Sequence, residues 1–237
     1  MNGDFIMIKT LDSILNLIFP KSCEFCSRQI QNPYRFCYFC LNNIDYTPTY
    51  NKDSSNMIEK ILFGKIPIEF GYSLFYFEEQ KISQAMIHSL KYKSNKRIGV
   101  LLGKKIGKGL LRVPIIDTVD LIIPVPIHHK RKFIRGYNQS EVIAKGMSEI
   151  LNIKIEQNFI KKNTNNKSQT KLSAKNRVYN NKNLFNCSNK ISPKHILIID
   201  DVITTGNTIE NMCKCILNKH PNIKISIACL GIAKSNK

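Results

Sequence analysis

Two adjacent aspartates, Asp200 and Asp201, stand where a run of aliphatic residues ends and a loop rich in threonine begins. The aliphatic run, residues 196–199, is typical of a strand that is buried on both faces, as in a parallel sheet. After the loop, apolar residues recur at helical spacing until Pro221 stops the pattern. The segment therefore predicts a strand, a loop and a helix N-terminus in succession, where backbone N–H groups and the helix dipole attract an anion.

The loop offers donors to a phosphate, whereas the aspartates offer acceptors to hydroxyl groups. Like charges repel, so Asp200 and Asp201 suit ribose hydroxyls, or a metal that bridges hydroxyls to a pyrophosphate. Phosphoribosyl pyrophosphate combines these groups, and we expect it, or a similar phosphorylated ribose ligand, to bind here with Mg²⁺. The predicted phosphate-binding residues are Thr204, Thr205, Gly206, Asn207 and Thr208. The glycine lets the backbone approach the anion closely.

The pattern Asp-Asp-Val-x-Thr-Thr-Gly-x-Thr resembles the binding motif of type I phosphoribosyltransferases. A Walker-type site is excluded because the loop lacks Gly-Lys-Ser/Thr, and a dinucleotide fingerprint is excluded because the loop holds one glycine. The alternative interpretation is structural, with an acidic pair that ends a strand and a turn that follows it. The combination of the acidic pair with the threonine loop favours the phosphoribosyl interpretation.

A basic segment follows a second predicted buried strand, residues 119–125. Pro124 and Pro126 stiffen the loop that leaves this strand, and in a parallel sheet that loop opens on the same edge as the threonine loop. A rigid cationic loop facing a phosphate and ribose site suits a departing pyrophosphate, although a basic surface turn is the alternative. The residues predicted to bind pyrophosphate are Val125, Pro126, Lys130, Arg131 and Arg135, with the amides of Asn138 and Gln139 nearby.

Hydrophobic periodicity predicts the remaining elements of an α/β domain around these sites. Strands are expected at residues 66–77 and 153–160, and helices at 79–92, at 97–111 and after Arg135. The segment 161–183 is polar and almost free of large aliphatic residues, and loops of such length are usually disordered or functional lids. The candidate lid residues, which would exclude water from a reactive cation, are Gln169, Arg177 and Asn180.

Four of the eight cysteines form two Cys-x2-Cys pairs close together in the sequence. Such pairs can place four thiolates around one zinc ion, and the metal would supply folding free energy that so short a segment lacks. Disulfides and a redox Cys-x2-Cys are the alternatives, but the absence of a secretion signal and of a surrounding βαβ pattern favours zinc. The predicted ligands of this closed, structural site are Cys23, Cys26, Cys37 and Cys40.

The chain of 237 residues carries a formal charge of +19, with 36 Lys and Arg against 17 Asp and Glu. This balance suits a polyanionic partner, either nucleic acid or a phosphorylated substrate, although an AT-rich genome also produces a composition rich in Lys, Asn and Ile. No apolar run approaches the roughly 20 residues that span a bilayer. Residues 6–19 predict a short amphipathic helix without the features of a signal peptide, so we expect a cytoplasmic protein.

Three blocks together resemble the ComF family of competence-associated, phosphoribosyltransferase-like proteins. They are the cysteine pairs, the segment from Pro-Val-Pro-Ile-His to Arg-Gly-Tyr-Asn-Gln-Ser, and the segment from Gln169 to the threonine loop. The resemblance implies a type I phosphoribosyltransferase fold, an α/β parallel sheet flanked by helices, behind a small N-terminal zinc ribbon. We therefore expect a helix and zinc ribbon in residues 1–50 and a phosphoribosyltransferase-like domain in residues 60–237. The resemblance also implies an association with the DNA-uptake machinery and transforming single-stranded DNA.

Three functions follow as hypotheses. The chain is a glycosyltransferase that transfers phosphoribosyl to an unknown acceptor, a competence factor that binds single-stranded DNA, or a sensor that binds the ligand without turnover. In a working transferase, Mg²⁺ would bridge pyrophosphate and ribose, and Asp201 would stabilise a centre of oxocarbenium character. Glutamine-dependent amide transfer is not expected, because no N-terminal cysteine nucleophile is present.

Overall fold

The computed structural model describes residues 20–48, 56–163 and 184–233. The predicted N-terminal helix and the candidate lid residues Gln169, Arg177 and Asn180 lie outside these ranges. The strands are β1 (Gly71–Phe77), β2 (Leu121–Pro124), β3 (Lys154–Ile155), β4 (Ile160–Lys162), β5 (Phe185–Cys187), β6 (His195–Ile203) and β7 (Lys224–Ala233). Five of these strands form a parallel sheet in the order β1-β7-β6-β2-β3, and β4 pairs with β5 antiparallel in a separate small sheet.

Helices cover both faces of the parallel sheet. They are α1 (Tyr38–Asn42), α2 (Met57–Leu62), α3 (Ile82–Tyr92), α4 (Lys96–Leu110), α5 (His129–Arg135), α6 (Gln139–Leu151) and α7 (Asn207–Lys219), with a 3₁₀ helix at Pro114–Thr118. Buried side chains of α3, α4 and α6 form the core on one face, and those of α2 and α7 form the core on the other. The predicted α/β architecture, a parallel sheet flanked by helices, is confirmed.

Strand β6 lies at the centre of the sheet and is buried on both sides. Leu197 and Ile199 join the core beneath α3, α4 and α6, whereas Ile196 and Ile198 join the core beneath α7. This alternation explains the unbroken aliphatic run, because a strand with helices on both faces has no solvent side. Pairing of Ile199 with Pro124 of β2 brings the ends of the two strands to the same edge, where the aspartates begin.

Helices α4 and α6 approach one another closely through glycine. A Cβ placed on Gly103 would lie 2.1 Å from the backbone oxygen of Ile143, and one placed on Gly146 would lie 2.1 Å from that of Val100. Each distance is far below van der Waals contact. The backbones of the two helices can therefore approach this closely only because glycine has no Cβ. This contact fixes the start of α6, which carries residues of the site described below.

Three details of the sequence prediction were wrong. The strand expected at 66–77 begins only at Gly71, and the one expected at 153–160 is divided between β3 and β4. The division follows from a turn in which the Glu156 carboxylate accepts the N–H of Asn158 at 2.7 Å. The basic residues expected on a rigid loop lie on the short helix α5, which begins with a cap from His128 and ends at Gly136 in the left-handed conformation, φ 75°.

Candidate functional site

A cleft of about 360 Å³ opens at the carboxyl edge of the parallel sheet. The ends of β1, β2 and β6, the start of α6 and the basic helix α5 surround it. The side chains that line it include most of the residues singled out in the sequence: Val125, Pro126, Arg131, Arg135, Asn138, Gln139, Asp200, Asp201, Thr204 and Thr208. Folding therefore brings the acidic pair, the threonine loop and part of the basic segment into one cavity.

The aspartates are fixed by short hydrogen bonds at the end of β6. Asp200 Oδ1 accepts the N–H of Asp201 at 2.8 Å and the hydroxyl of Ser140 at 3.2 Å. Asp201 Oδ1 accepts the N–H of Val202 at 2.7 Å. Ser140 lies in the first turn of α6, so the helix holds one carboxylate in place while the backbone of β6 holds the other.

A lysine that the sequence analysis did not assign completes the acidic pair. Lys91 Nζ lies 3.0 Å from Asp201 Oδ2, and their side chains are only 22% and 13% exposed. Burial, followed by the charge of Asp201, raises the pKa of Asp200 to about 7, although Lys91 and Ser140 oppose the shift. Asp200 therefore titrates near neutral pH, while Asp201 is paired with Lys91.

The threonine loop lies beside the acidic pair and leads into α7. Gly206 is the N-cap residue of α7 with φ 76°, and no side chain caps this helix. Thr204 and Thr208 line the cleft, and Thr205 and Asn207 are exposed at the same turn. An uncapped helix N-terminus with hydroxyls around it can bind a phosphate through backbone N–H groups.

The basic side of the cleft differs from the prediction in detail. Arg131 and Arg135 line the cavity, whereas Lys130 is exposed and is not among the described residues that line it. The guanidinium of Arg135 donates to Gln139 Oε1 at 3.0 Å and lies 5.2 Å from the ring centroid of Tyr92. These contacts hold Arg135 at the mouth of the cleft.

Asn138 is a structural residue in this arrangement. Its side chain accepts the N–H of Ser140 at 3.1 Å as the N-cap of α6, and it donates to the carbonyl of Val125 at 3.0 Å. Because both groups of the amide are engaged and the residue is 3% exposed, it positions Ser140 and the end of β2. Asn138 also lines the cleft, so its interpretation as an amide that offers donors and acceptors to a ligand stays a prediction.

Lys162 and His128 also line the cleft and had no role in the sequence analysis. Lys162 ends β4, and burial, followed by the charge of Arg131, lowers its pKa, while Asp200 opposes the shift. No local motif marks Lys162, which only the fold brings to the cleft. The Lys-Tyr pair that ends α3 is the one sequence signal that could have pointed to Lys91.

A larger cleft of about 810 Å³ lies beside α2 and is lined by residues such as Phe63, Ile66 and Pro114. Its described lining contains none of the predicted ligand residues. The smaller cleft is therefore the better candidate, because the chemistry of its side chains matches an anionic sugar.

The four predicted zinc ligands lie together. The thiol sulfurs of Cys23, Cys26, Cys37 and Cys40 are all within 4.8 Å of one another. The Cys26 and Cys37 sulfurs are 3.5 Å apart, and those of Cys23 and Cys40 are 3.8 Å apart. Four thiolates this close repel unless a cation lies between them, so the donor set fits a tetrahedral structural metal such as Zn²⁺.

Comparison with known proteins agrees with this architecture. Residues 138–236 match the phosphoribosyl transferase domain. Competence protein F of Haemophilus influenzae is 28% identical over 198 residues, which are 81% of this chain and 82% of that protein. These matches support a phosphoribosyltransferase-like protein that is similar to the ComF family.

Two further proteins are similar to this chain over shorter ranges. DNA utilization protein YhgH of Escherichia coli is 30% identical over 135 residues, which are 56% of this chain and 60% of YhgH. Competence protein ComFC of Bacillus subtilis is 27% identical over 110 residues, 46% of this chain and 43% of ComFC. Among the helices of the described ranges, none is long and apolar enough to cross a membrane.

Proposed function

We propose that the cleft at the end of β6 binds phosphoribosyl pyrophosphate with Mg²⁺ and that the chain transfers the phosphoribosyl group to an acceptor. The juxtaposition of the acidic pair with an uncapped helix N-terminus carries this proposal. Asp200 and Asp201 would accept the ribose hydroxyls, and the N-terminus of α7 would hold the 5′-phosphate. The carboxylates accept hydrogen bonds from hydroxyl groups, whereas the helix N-terminus donates hydrogen bonds to an anion. Their proximity therefore matches a ligand that has a diol beside a phosphate.

The carboxylates also fit the proposed metal. Oxygen ligands of Asp200 and Asp201 at a strand end are the donors that Mg²⁺ prefers, together with the hydroxyls and phosphates of the ligand itself. When bound, Mg²⁺ would offset the negative charge of the pyrophosphate and the diol. Arg131 and Arg135 would attract the departing pyrophosphate from the other side of the cleft.

Isothermal titration of phosphoribosyl pyrophosphate with Mg²⁺ into the purified protein tests the assignment. We expect the wild type to bind and the double variant Asp200→Asn, Asp201→Asn to lose binding. Asp117→Asn, which removes an exposed carboxylate on the 3₁₀ helix, is the matched control and should bind normally. Undiminished binding by the double variant would refute the site.

Pyrophosphate release separates the transferase from a sensor. Only turnover breaks the bond between the ribose and the pyrophosphate, so a coupled assay with mixed nucleobases and amines should report release above the background of the double variant. Binding without release under any acceptor would support the sensor and would overturn the transferase.

A second candidate function, binding of single-stranded DNA, is favoured by the surface around the cysteines. Phe25, Tyr38 and Phe39 are 45%, 67% and 57% exposed, although aromatic residues usually fill the core of so small a unit. The guanidinium of Arg28 lies 4.4 Å from the ring centroid of Phe39. Exposed rings beside cations are the features on which unpaired bases stack, and two relatives are named for competence and for DNA utilization.

Fluorescence anisotropy with a labelled single strand tests this candidate. Truncating Tyr38 and Phe39 to Ala should weaken binding, since each stacked base contributes roughly 1–3 kcal/mol. Phe63→Ala removes a ring that is 88% exposed on the opposite face of the sheet and serves as the control. Equal losses in both variants, or no loss in the double variant, would exclude the cysteine unit as the DNA-binding surface.

A further inference from the structure

The turn between α3 and α4 joins the acidic pair to the four-cysteine unit. On one side of it, Lys91 lies 3.0 Å from Asp201 Oδ2. Because the paired side chains are 22% and 13% exposed, solvent screens this ion pair only in part. Its position therefore depends on how the last turn of α3 is held.

On the other side, Lys93 contacts the cysteine unit. Its Nζ lies 3.4 Å from Oε2 of Glu24, the residue that follows the metal ligand Cys23. This is an ion pair without a well-aligned hydrogen bond. Arg35 holds the other carboxylate oxygen of Glu24 at 3.3 Å, and the Glu24 side chain is 12% exposed. The carboxylate thus lies between one cation of the cysteine unit and one cation of the turn.

Asn95 makes a second and more deeply buried link. It is 5% exposed, its side-chain N–H groups donate to the carbonyl of Tyr34 at 2.8 Å and to Ser89 at 3.0 Å, and its oxygen caps α4 by accepting the N–H of Ile98 at 3.2 Å. Ser94 adopts a left-handed conformation with φ 52°. The turn is therefore held by the cysteine unit, by α3 and by α4 at once, and has little freedom to shift.

We propose that Lys91 is a positioning residue of the phosphoribosyl site and that the metal-bound cysteine unit fixes it through Lys93 and Asn95. The proposal rests on the proposed function, because the group positioned is the carboxylate assigned to the ribose. The positive charge of Lys91 offsets the repulsion between Asp200 and Asp201. Both carboxylates are therefore held in the ligand-binding orientation in the ligand-free protein. The metal thereby strengthens ligand binding without touching the ligand.

Lys91→Met tests the first step, since it removes the charge and keeps the length of the side chain. Phosphoribosyl pyrophosphate with Mg²⁺ should bind the variant roughly 10-fold to 100-fold more weakly, because a partly buried carboxylate loses the cation that is paired with it. The pH at which affinity declines should also rise, because Lys91 no longer opposes the upward shift at Asp200. Lys91→Arg should restore part of the affinity, and Lys108→Met, on an exposed position of α4, should behave as the wild type.

The double variant Glu24→Gln, Lys93→Met tests the second step while leaving all four cysteines in place. Zinc content should stay at the wild-type value, whereas ligand affinity should fall severalfold. Hydrogen exchange of the peptide covering residues 200–208 should become faster in the ligand-free protein, a readout that needs no ligand.

The results of these experiments distinguish a failure of the proposed function from a failure of the positioning role of Lys91. If the wild type does not bind phosphoribosyl pyrophosphate, the proposed function fails, and the hydrogen-exchange result still decides whether the turn couples the two sites. If the wild type binds and Lys91→Met binds equally well with the same pH profile, Lys91 is not a positioning residue. Unchanged exchange in the Glu24 and Lys93 variant would refute the link to the cysteine unit.

Discussion

Adjacent carboxylates at the end of β6 have different electrostatic surroundings. Asp201 faces the ammonium group of Lys91, whereas Asp200 is half-buried and accepts hydrogen bonds from neutral donors. Burial and the charge of Asp201 raise the pKa of Asp200 to about 7. Near neutral pH, Asp200 therefore exchanges its proton, while Asp201 is held in an ion pair with Lys91. A hydroxyl group of a ligand could therefore find an acceptor on either residue.

The raised pKa of Asp200 makes the stability of the ligand-free protein depend on pH. Between the ordinary value of 3.8 and about 7, the folded protein keeps a proton that the unfolded chain has lost. The contribution of Asp200 to stability is thus fully present below 3.8 and is lost as pH rises through 7. We predict that Asp200→Asn raises Tm by several degrees at pH 8, at roughly 2–4 °C per kcal/mol, and by clearly less at pH 5, where only part of the stability has been lost.

Thermal unfolding followed by circular dichroism at both pH values measures this difference. Asp117→Asn, an exposed carboxylate, should leave Tm unchanged at pH 5 and at pH 8. A Tm increase of the same size at the two pH values would contradict the shifted pKa, because amide substitution would then act through packing alone.

The contact between α4 and α6 is the tightest packing among the described helices. We predict that Gly103→Ala destabilises the protein by roughly 1–3 kcal/mol, the usual cost of overpacking. Alanine favours a helix over glycine by about 1 kcal/mol, but the new Cβ would meet the Ile143 oxygen at 2.1 Å, and backbone cannot rotate away as a side chain can. Denaturant unfolding measures the loss, with Lys108→Ala at an exposed position of the same helix as the control. A stability equal to the wild type would show that the helices separate at little cost.

The turn that begins α7 depends on a glycine for two reasons. Gly206 has φ 76°, which other residues adopt only with strain, and a Cβ there would lie 2.6 Å from Ile61 Cγ2. We predict that Gly206→Ala reorients the N–H groups of α7 and weakens phosphate binding at least 10-fold, with a smaller loss of stability. Titration with inorganic phosphate, which lacks the ribose and the pyrophosphate, measures the effect on this subsite alone. Gly64→Ala, also at positive φ but away from the cleft, should retain full affinity.

The features that were predicted from the sequence are those that a local pattern of residues determines. Strand β6 was predicted because its aliphatic run reports burial on both faces, and the cysteine cluster was predicted because ligand spacing is local. Helix α5 was missed because it has no buried residue and hence no apolar period. Lys91 was assigned no role although it begins a Lys-Tyr pair, because its proximity to Asp201 arises from the packing of α3 against the sheet.

Across the whole molecule, the formal charge of +19 favours both candidate ligands and distinguishes neither. A sugar phosphate and a DNA strand would both bind more weakly at higher ionic strength. The two candidate surfaces are nevertheless different: the cleft lies at the carboxyl edge of the sheet, and the exposed rings lie on the cysteine unit. Both activities could therefore belong to one chain, with the turn at residues 91–95 between them.

The cysteine unit shares its core with the sheet domain. Cys23, Phe36 and Leu41 belong to the same buried cluster as Leu90 and Ile98 of helices α3 and α4. Thiolates that repel one another after metal loss would disturb this shared core and not only the surface of the chain. A metal bound by the four cysteines would consequently contribute to the folding of the whole protein.

We predict that removing the metal with a chelator lowers Tm by more than about 10 °C, since a tightly bound metal stabilises by several kcal/mol and the core is shared. Hydrogen exchange should become faster in α4 as well as in residues 20–46, and added Zn²⁺ should restore both. Addition of Zn²⁺-saturated chelator is the control, because it leaves the metal in place. If α4 keeps its protection while residues 20–46 unfold, the cysteine unit is independent of the sheet domain, and coupling through Asn95 is too weak to position Lys91.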